Sequence, residues 1–428
     1  MQEALSWGWV ETQATLTAEV WQSCAALPAA IGPMYSPVEQ RRRELAYDEA
    51  LANVEGEAKR QPRSRLERLA AQDCVTSAFA RFSSAALDLK EDAVELLTND
   101  FLPVGTRLAR WARRFDQGLS REDIIQANRN AWTACGLQPL LGERIELTPS
   151  ILGYSLLYPY TDNFLDRTDV AGEEKRRFSR RFRQRLEGEP VCARDAREAA
   201  LWALVELIER QYARASYAQV YDGLLAIHRA QEESIAQMDG DYAESELLRM
   251  SCTKGGSSVL ADAAMARGWL GETESRFAFE WGVLLQLGDD LQDVREDLER
   301  GSATLFSRVA ALGMPLDGLT KQLFAFSDRV AERMDALEHG SAMLKELLRT
   351  SWRSLIVGAV AGSRQFFSSE FVAETEQRSP FRFDFLRKRR KRLLSRRGLY
   401  NTLFEAFLEA SEDDDLEQRL PVPALTVV

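Results

Sequence analysis

Histidine is nearly missing from this chain: there are two in 428 residues, His228 and His339, with no partner histidine at ligand spacing. Histidine-based metal binding therefore has no support in the sequence. Cysteine is sparse and scattered (Cys24, Cys74, Cys135, Cys192, Cys252), odd in number and without a CxxC pair. That pattern excludes a disulfide framework or zinc site, gives no support to a cysteine nucleophile, and predicts free thiols in a reducing cytoplasm. No window approaches 18 uninterrupted apolar residues, so no transmembrane helix is expected. The first residues, MQEALSWGWVETQ, lack a basic stretch followed by an apolar one, and no secretory leader is expected. Positive charge is in deficit, at a formal −11, which argues against nucleic acid as a partner of the whole molecule.

Proline is absent between Pro190 and Pro315, and glycine is thin there. Without strand-like alternation, such a stretch reads as long helices joined by short turns. An apolar content of 45% with 28% charged residues suits a soluble globular protein. The length alone would suggest about three domains, but a helical bundle absorbs 300 residues or more as one unit. Helix starts are legible. Ser120 with Asp123 forms a capping-box-like entry to a helix carrying Ile124, Ile125, Ala131 and Trp132. Thr148 before Pro149 is an N-cap with proline at the first helical position, and Pro315 starts another helix after Leu312-Gly313-Met314. The expected organisation is one α-helical domain over 1–376, with 1–100 as extra N-terminal helices, then a basic helix over 377–410 and an acidic, flexible tail over 411–428.

Two aspartate clusters carry the chemistry. The first is Asp162-Asn163-Phe164-Leu165-Asp166; the second runs Asp289-Asp290-Leu291-Gln292-Asp293-Val294-Arg295-Glu296-Asp297. Asp162 and Asp166 fall on one helix face about 6 Å apart along the axis, and Asp169 can join them. Asp289, Asp293 and Asp297 recur at i, i+4 and i+8, with Gln286 one turn earlier on the same side. Like charges so close repel unless a cation compensates. Mg²⁺ takes oxygen ligands and commonly bridges one or two carboxylates to a substrate phosphate. Both clusters follow apolar segments, so the acids emerge where a buried helix reaches an opening. Pro159, one turn before Asp162, would free the Ser155 carbonyl and permit a kink.

These residues resemble the paired aspartate-rich motifs of the class I isoprenoid synthase superfamily. Asp162 to Asp166 looks like its first motif, with asparagine at the second position. Asp289 to Asp293 looks like the second motif of prenyl synthases, and Asp289, Asp293 and Asp297 fit the metal-binding triad spacing of terpene cyclases. The separation of the clusters suits helices D and H of that fold. Lys254-Gly255-Gly256-Ser257-Ser258 occupies the place of a broken helix whose lysine contacts diphosphate. Tyr160-Thr161-Asp162 through Arg167 is most similar to the bacterial large (class IB) terpene synthases of the tetraprenyl-curcumene type. Arg129-Asn130-Ala131-Trp132 and Gln138-Pro139-Leu140-Leu141-Gly142 add to that likeness less specifically.

The resemblance implies an all-α bundle around a central apolar cavity, and Mg²⁺-dependent ionisation of a linear polyprenyl diphosphate followed by carbocation cyclisation. It implies about three Mg²⁺ ions, replaceable by Mn²⁺, on Asp162, Asp166, Asp289, Asp290, Asp293 and Asp297. Asp162, Asp166, Asp289, Asp293 and Lys254 would be catalytic, and Lys254, Gln286, Tyr158 and Trp132 would bind substrate. Tyr158, Phe164 and Trp132 are aromatic candidates for stabilising a carbocation, although an aromatic on a helix is more often core. The alternative of the same fold is chain elongation by a trans-prenyl diphosphate synthase. Against it, Val170-Ala171-Gly172 stands where elongating enzymes carry Arg-Arg-Gly, and Gly301-Ser302 where they carry Gly-Lys.

Arginines 176, 177, 180, 181, 183 and 185 follow the first motif and read first as a solvated basic helix. The basic stretch 378–397 has three readings: a peripheral contact with an anionic membrane, a lid over the site, or a partner of the acidic run after it. The expected setting is cytoplasmic, free or at a membrane surface, and a homodimer is the default assembly.

Overall fold

The computed structural model describes residues 5–28, 31–165, 167, 169–235 and 242–408, and among them every regular element is helical, with no strand. The N-terminal elements are α1 (Trp7–Cys24), α2 (Pro37–Arg60), α3 (Arg65–Ala85), α4 (Glu91–Leu96), a π turn at Leu97–Phe101, and α5 (Leu102–Phe115). The middle of the chain forms α6 (Arg121–Leu140), α7 (Pro149–Leu165), α8 (Gly172–Glu187), α9 (Ala196–Gln211), α10 (Ala218–Ile235), α11 (Glu244–Arg267) and α12 (Glu272–Gln292). It ends in α13 (Val294–Arg300), α14 (Leu305–Ala311), α15 (Asp317–Asp335), α16 (Ala342–Gly362), α17 (Ser369–Gln377), α18 (Phe383–Ser395) and α19 (Arg397–Leu408).

The starts read from sequence hold in detail. Ser120 Oγ accepts the Asp123 N–H at 3.1 Å while Asp123 accepts the Ser120 N–H at 2.8 Å, closing the capping box of α6. Pro149 opens α7, and Thr148 Oγ1 accepts the Ile151 N–H at 3.4 Å. α7 then runs through Pro159 to Leu165 as one helix.

α11 is the central column, packed against α1, α6, α7, α10 and α12. Two cores meet on it. Val259, Leu260 and Ala263 join Phe277, Phe279 and Leu284 of α12, whereas Ala261, Ala264 and Met265 join Ile151 of α7 and Leu204 of α9. A helix buried all round must be apolar and narrow, and its glycines show how narrow. A Cβ on Gly255 would lie 2.5 Å from the Gly282 carbonyl oxygen, and one on Gly256 would lie 2.4 Å from the Phe279 ring. The break expected at Lys254-Gly255-Gly256 is therefore absent: α11 is continuous, and its glycine pair is a close crossing with α12.

The N-terminal helices divide their packing. α1 joins the central bundle on α11 and α15, whereas the α2–α3 hairpin packs with α19. Tyr47 of α2 sits edge-on to Phe82 of α3 and to Phe385 of α18, each at 5.4 Å. The basic C-terminal stretch, expected as a single helix, is two, interrupted at Arg396. Four of its arginines are committed to α2: Arg382 Nε donates to Glu44 at 2.8 Å, Arg389 pairs with Asp48, and Glu55 receives Arg392 and Arg396 together with the Tyr400 hydroxyl. Arg387, Lys388, Arg390 and Lys391 of the same stretch are exposed, and the acidic run of the third reading lies outside the described residues. No described helix is long and apolar enough to cross a membrane.

The Glu55 side chain is 4% exposed, so its removal strands two guanidinium groups and a phenol at once. Glu55→Ala is expected to cost about 1–2 kcal/mol, discounted for the half-open arginines. Urea unfolding at low salt reads it, and an unchanged midpoint would show that the clamp is decorative.

Candidate active site

Six helices wall a cavity of about 400 Å³. α7 contributes a stripe at helical spacing: Tyr154, Leu157, Tyr158, Thr161, Asp162 and Leu165. α10 contributes Leu224, Ile227, His228, Gln231 and Ser234, and α12 contributes Gln286, Asp289 and Gln292, with Asp293 just past its end. Gln126, Arg129 and Asn130 come from α6, Lys254 and Ser258 from α11, and Phe182 and Leu186 from α8. The wall is thus only partly apolar. Leu157, Phe182, Leu186, Leu224 and Ile227 make a greasy region, while the acids of α7 and α12, with Arg129 and Lys254, make a charged one.

Most residues singled out by sequence meet here: Asp162, Asp289, Asp293, Lys254, Gln286 and Tyr158 all line the cavity. Asp162 Oδ1 accepts from Thr161 Oγ1 at 3.0 Å and from Gln231 Nε2 at 2.5 Å, which fixes the carboxylate on its turn. Asp289 Oδ1 accepts from Arg129 Nη2 at 3.3 Å. Burial pushes the Asp289 carboxyl above the ordinary range, Arg129 opposes that, and the neighbouring charge of Asp293 adds to it. Lys254 reaches this cluster because Gly255 lets α11 touch α12 one turn before Gln286.

Four sequence-derived residues have other placements. Trp132 is not on the cavity wall; its indole N–H donates to the Phe101 carbonyl at 3.0 Å and its ring covers Gly105, pinning α6 to the π turn. Asp290 is buried beside the cavity, accepting from Ser251 Oγ and Gln286 Nε2, both at 2.7 Å. Asp297 does not line the cavity and is on a second helix, because α12 stops at Gln292 and Asp293 (φ −96°, ψ 7°) joins it to α13, yet it remains within the field of Asp290 and Asp293. Asp166 lies outside the described residues. Asp169, expected to join its stripe, is paired with Arg167 at 2.9 Å, which holds its carboxyl down at about 2.

Sequence reasoning missed Arg129, Gln231, Tyr154 and His228 as wall residues. Gln231 and His228 repeat at helical spacing with Leu224, yet nothing in that pattern separates a cavity face from a core face. Arg129 opens the Arg129-Asn130-Ala131-Trp132 stretch, but its pairing with Asp289 is a long-range contact between α6 and α12.

Among the described residues, no three acids, cysteines or histidines stand together as a ready-made metal cage. The donor set fits a different mode of binding, in which carboxylates from two helices each supply one or two oxygens and a phosphate completes the shell. The acid cluster also carries charge that Arg129, Lys254 and Arg300 only partly offset. Burial, and then Asp290 and Asp293, push Asp297 up to about 7; burial pushes Asp290 up to about 6 against the hydrogen bonds of Gln286 and Ser251.

That surplus has a sign. Both folded-state values exceed the unfolded 3.8, so the native state binds these protons more tightly. Their contribution is nil below about pH 4, turns unfavourable as the pH rises between the unfolded and folded values, and is a full penalty above about pH 7. Asp297→Asn is expected to stabilise the metal-free protein by about 1–2 kcal/mol at pH 8 and by nothing at pH 4. Urea titrations at the two pH values check it, and an equal gain at both would assign the effect to something other than charge. No family model, curated protein or solved structure matches the chain, so its own geometry and chemistry carry the functional reading.

Proposed function

We propose that the protein is a Mg²⁺-dependent class I terpene synthase, ionising a linear polyprenyl diphosphate and cyclising the resulting carbocation with release of diphosphate. The observation that carries this reading is the joining, in one cavity, of acids from α7 and α12 and cations from α6 and α11 to an apolar wall. Such a cavity suits a molecule with one highly charged end and one hydrocarbon end.

Asp162, Asp289 and Asp293 would hold the metal ions; Asp290 and Asp297 stand behind them and set the local field. Bound Mg²⁺ would neutralise charge on the diphosphate and so ease its departure. Lys254 and Arg129 add fixed positive charge where the leaving group develops its negative charge, the usual dominant contribution to catalysis. Gln231 and Thr161 orient Asp162. Tyr154 and Tyr158 present aromatic surface to the cavity, where a carbocation would be attracted to their faces. The apolar wall of α8 and α10 excludes water from that cation.

The test is incubation of the protein with Mg²⁺ and geranyl, farnesyl, geranylgeranyl or geranylfarnesyl diphosphate, alone and with isopentenyl diphosphate, following hydrocarbons and released diphosphate. A cyclic product from one substrate alone is expected. A longer diphosphate appearing only with the co-substrate would replace cyclisation by chain elongation, and no reaction with any of them would remove the reading.

A further inference from the structure

The basic stretch that clamps α18 and the start of α19 onto α2 carries more cations than the clamp uses. Arg382, Arg389, Arg392 and Arg396 meet the α2 acids, whereas Arg387, Lys388, Arg390 and Lys391 are turned to solvent. Arg387 pairs with Asp384 at 3.2 Å. The side chains of Lys388, Arg390 and Lys391 make no hydrogen bond or ion pair among the described residues. Leu394, 63% exposed, follows Arg387 at i+7 and Lys391 at i+3, so an aliphatic group shares the face of these cations.

α2 repeats the pattern beside it. Val38, Arg41 and Leu45 recur at i, i+3 and i+7, and the two aliphatic side chains are 78% and 61% exposed. The Arg41 side chain also makes no hydrogen bond or ion pair among the described residues. The two stripes adjoin, because Arg41 and Leu45 line one groove with Asp384 and Lys388. The acids of that groove are occupied: Glu44 by Arg382, Asp48 by Arg389, Asp384 by Arg364 and Arg387. Glu49, one turn beyond Leu45, ends the stripe. A single exposed aliphatic residue needs no explanation, but three interleaved with cations on adjoining helices form a patch. A solvated charged face gains nothing from them. A bilayer surface uses both halves: the aliphatic tips enter the headgroup boundary, and lysine and arginine stems reach past them to lipid phosphates.

We propose that the α2–α18 face docks the protein on an anionic lipid bilayer, independently of the chemistry in the cavity. A nucleic acid would engage Arg41, Lys388, Arg390 and Lys391 but leave Val38, Leu45 and Leu394 without a role. A second copy of the chain would set these cations against one another. The overall charge of −11 does not oppose docking, since charges more than about 8 Å away are screened at physiological salt. It sets the orientation instead, because the acidic remainder of the surface is repelled and the basic face is drawn in.

Flotation of the full chain with phosphatidylcholine vesicles, with and without phosphatidylserine at about one lipid in three, tests this. Binding to the anionic vesicles is expected to be at least tenfold tighter than to the neutral ones and to fall steeply with salt. Each cation at the surface is worth about fivefold, so Lys388→Gln with Lys391→Gln should weaken binding about 25-fold. Val38→Ser with Leu45→Ser should weaken it about tenfold while leaving the salt dependence in place. All four side chains are exposed, so both double variants should keep the parent's unfolding midpoint. Equal binding to both kinds of vesicle, or anionic binding that neither double variant moves, overturns the proposal. Failure of the full chain to bind anionic vesicles overturns it too, and leaves the cations to the acidic run of 409–417. A single-stranded oligonucleotide bound as tightly as the vesicles, and unaffected by Val38→Ser with Leu45→Ser, would make this a nucleic-acid face instead. A lipid-free dimer in sedimentation that the same variant splits would make it a contact between copies.

Discussion

Replacing Asp162 or Asp293 with alanine is expected to cut the release of diphosphate by about 10³-fold, with the unfolding midpoint close to that of the parent. Each carboxylate faces the cavity from a different helix, so neither can stand in for the other on a bound diphosphate. Their folding roles are small by comparison. Asp162 accepts two hydrogen bonds at the cavity edge, and Asp293 is an exposed residue at the end of α12, raised above its ordinary range by burial and then by Glu296. The double substitution should be little worse than either single one, because residues acting on one leaving group fail together. Two comparisons make the result specific. Asp290→Asn keeps the shape of a buried group held by Ser251 and Gln286 and should cost far less activity. Trp132→Phe loses one hydrogen bond to the Phe101 carbonyl and should affect stability alone. Normal diphosphate release from either alanine variant would end the metal assignment.

The contrast between these residues also shows what a linear chain can disclose. Helix starts at Ser120 and Thr148 were legible because caps are local: a hydroxyl and an N–H two or three residues away decide them. The meeting of Asp162 with Asp289 and Asp293 was legible because two acidic clusters each follow an apolar segment; one such cluster alone is an ordinary solvated helix face. At Asp297 the spacing rule assumed a single helix, whereas Asp293 joins two, with α13 packed on α14 beyond that joint. Trp132 is placed elsewhere because an indole N–H takes whichever carbonyl tertiary structure brings, here that of Phe101 at the π turn. The basic stretch 378–397 had no visible partner because Glu44, Asp48 and Glu55 lie more than 300 residues earlier in the chain.

Gly282→Ala is expected to cost about 3 kcal/mol, at the upper end for overpacking, and to disable the site in whatever fraction folds. The added Cβ would lie 2.1 Å from the Gly255 carbonyl oxygen and 2.8 Å from its carbonyl carbon. Those are backbone atoms of a buried helix, so no side-chain rotation relieves the clash and α11 must move off α12. Gly288 differs, because its nearest obstacle is the tip of Leu355, which can turn away. Gly358 in α16 is the control. Nothing lies within 4 Å of its Cβ position, and alanine there should stabilise by about 0.5–1 kcal/mol through helix propensity. The site depends on the same contact. Lys254 precedes Gly255, and Gln286 and Asp289 lie beyond Gly282, so widening the crossing separates the lysine from the acids whose charge it tempers. Diphosphate release at a temperature where Gly282→Ala remains folded should therefore fall by more than its lost stability explains. A Gly282→Ala protein as stable as the parent would mean that α11 does bend at its glycine pair, as Lys254-Gly255-Gly256 suggests in the bare sequence, and that the close crossing is not what places Lys254.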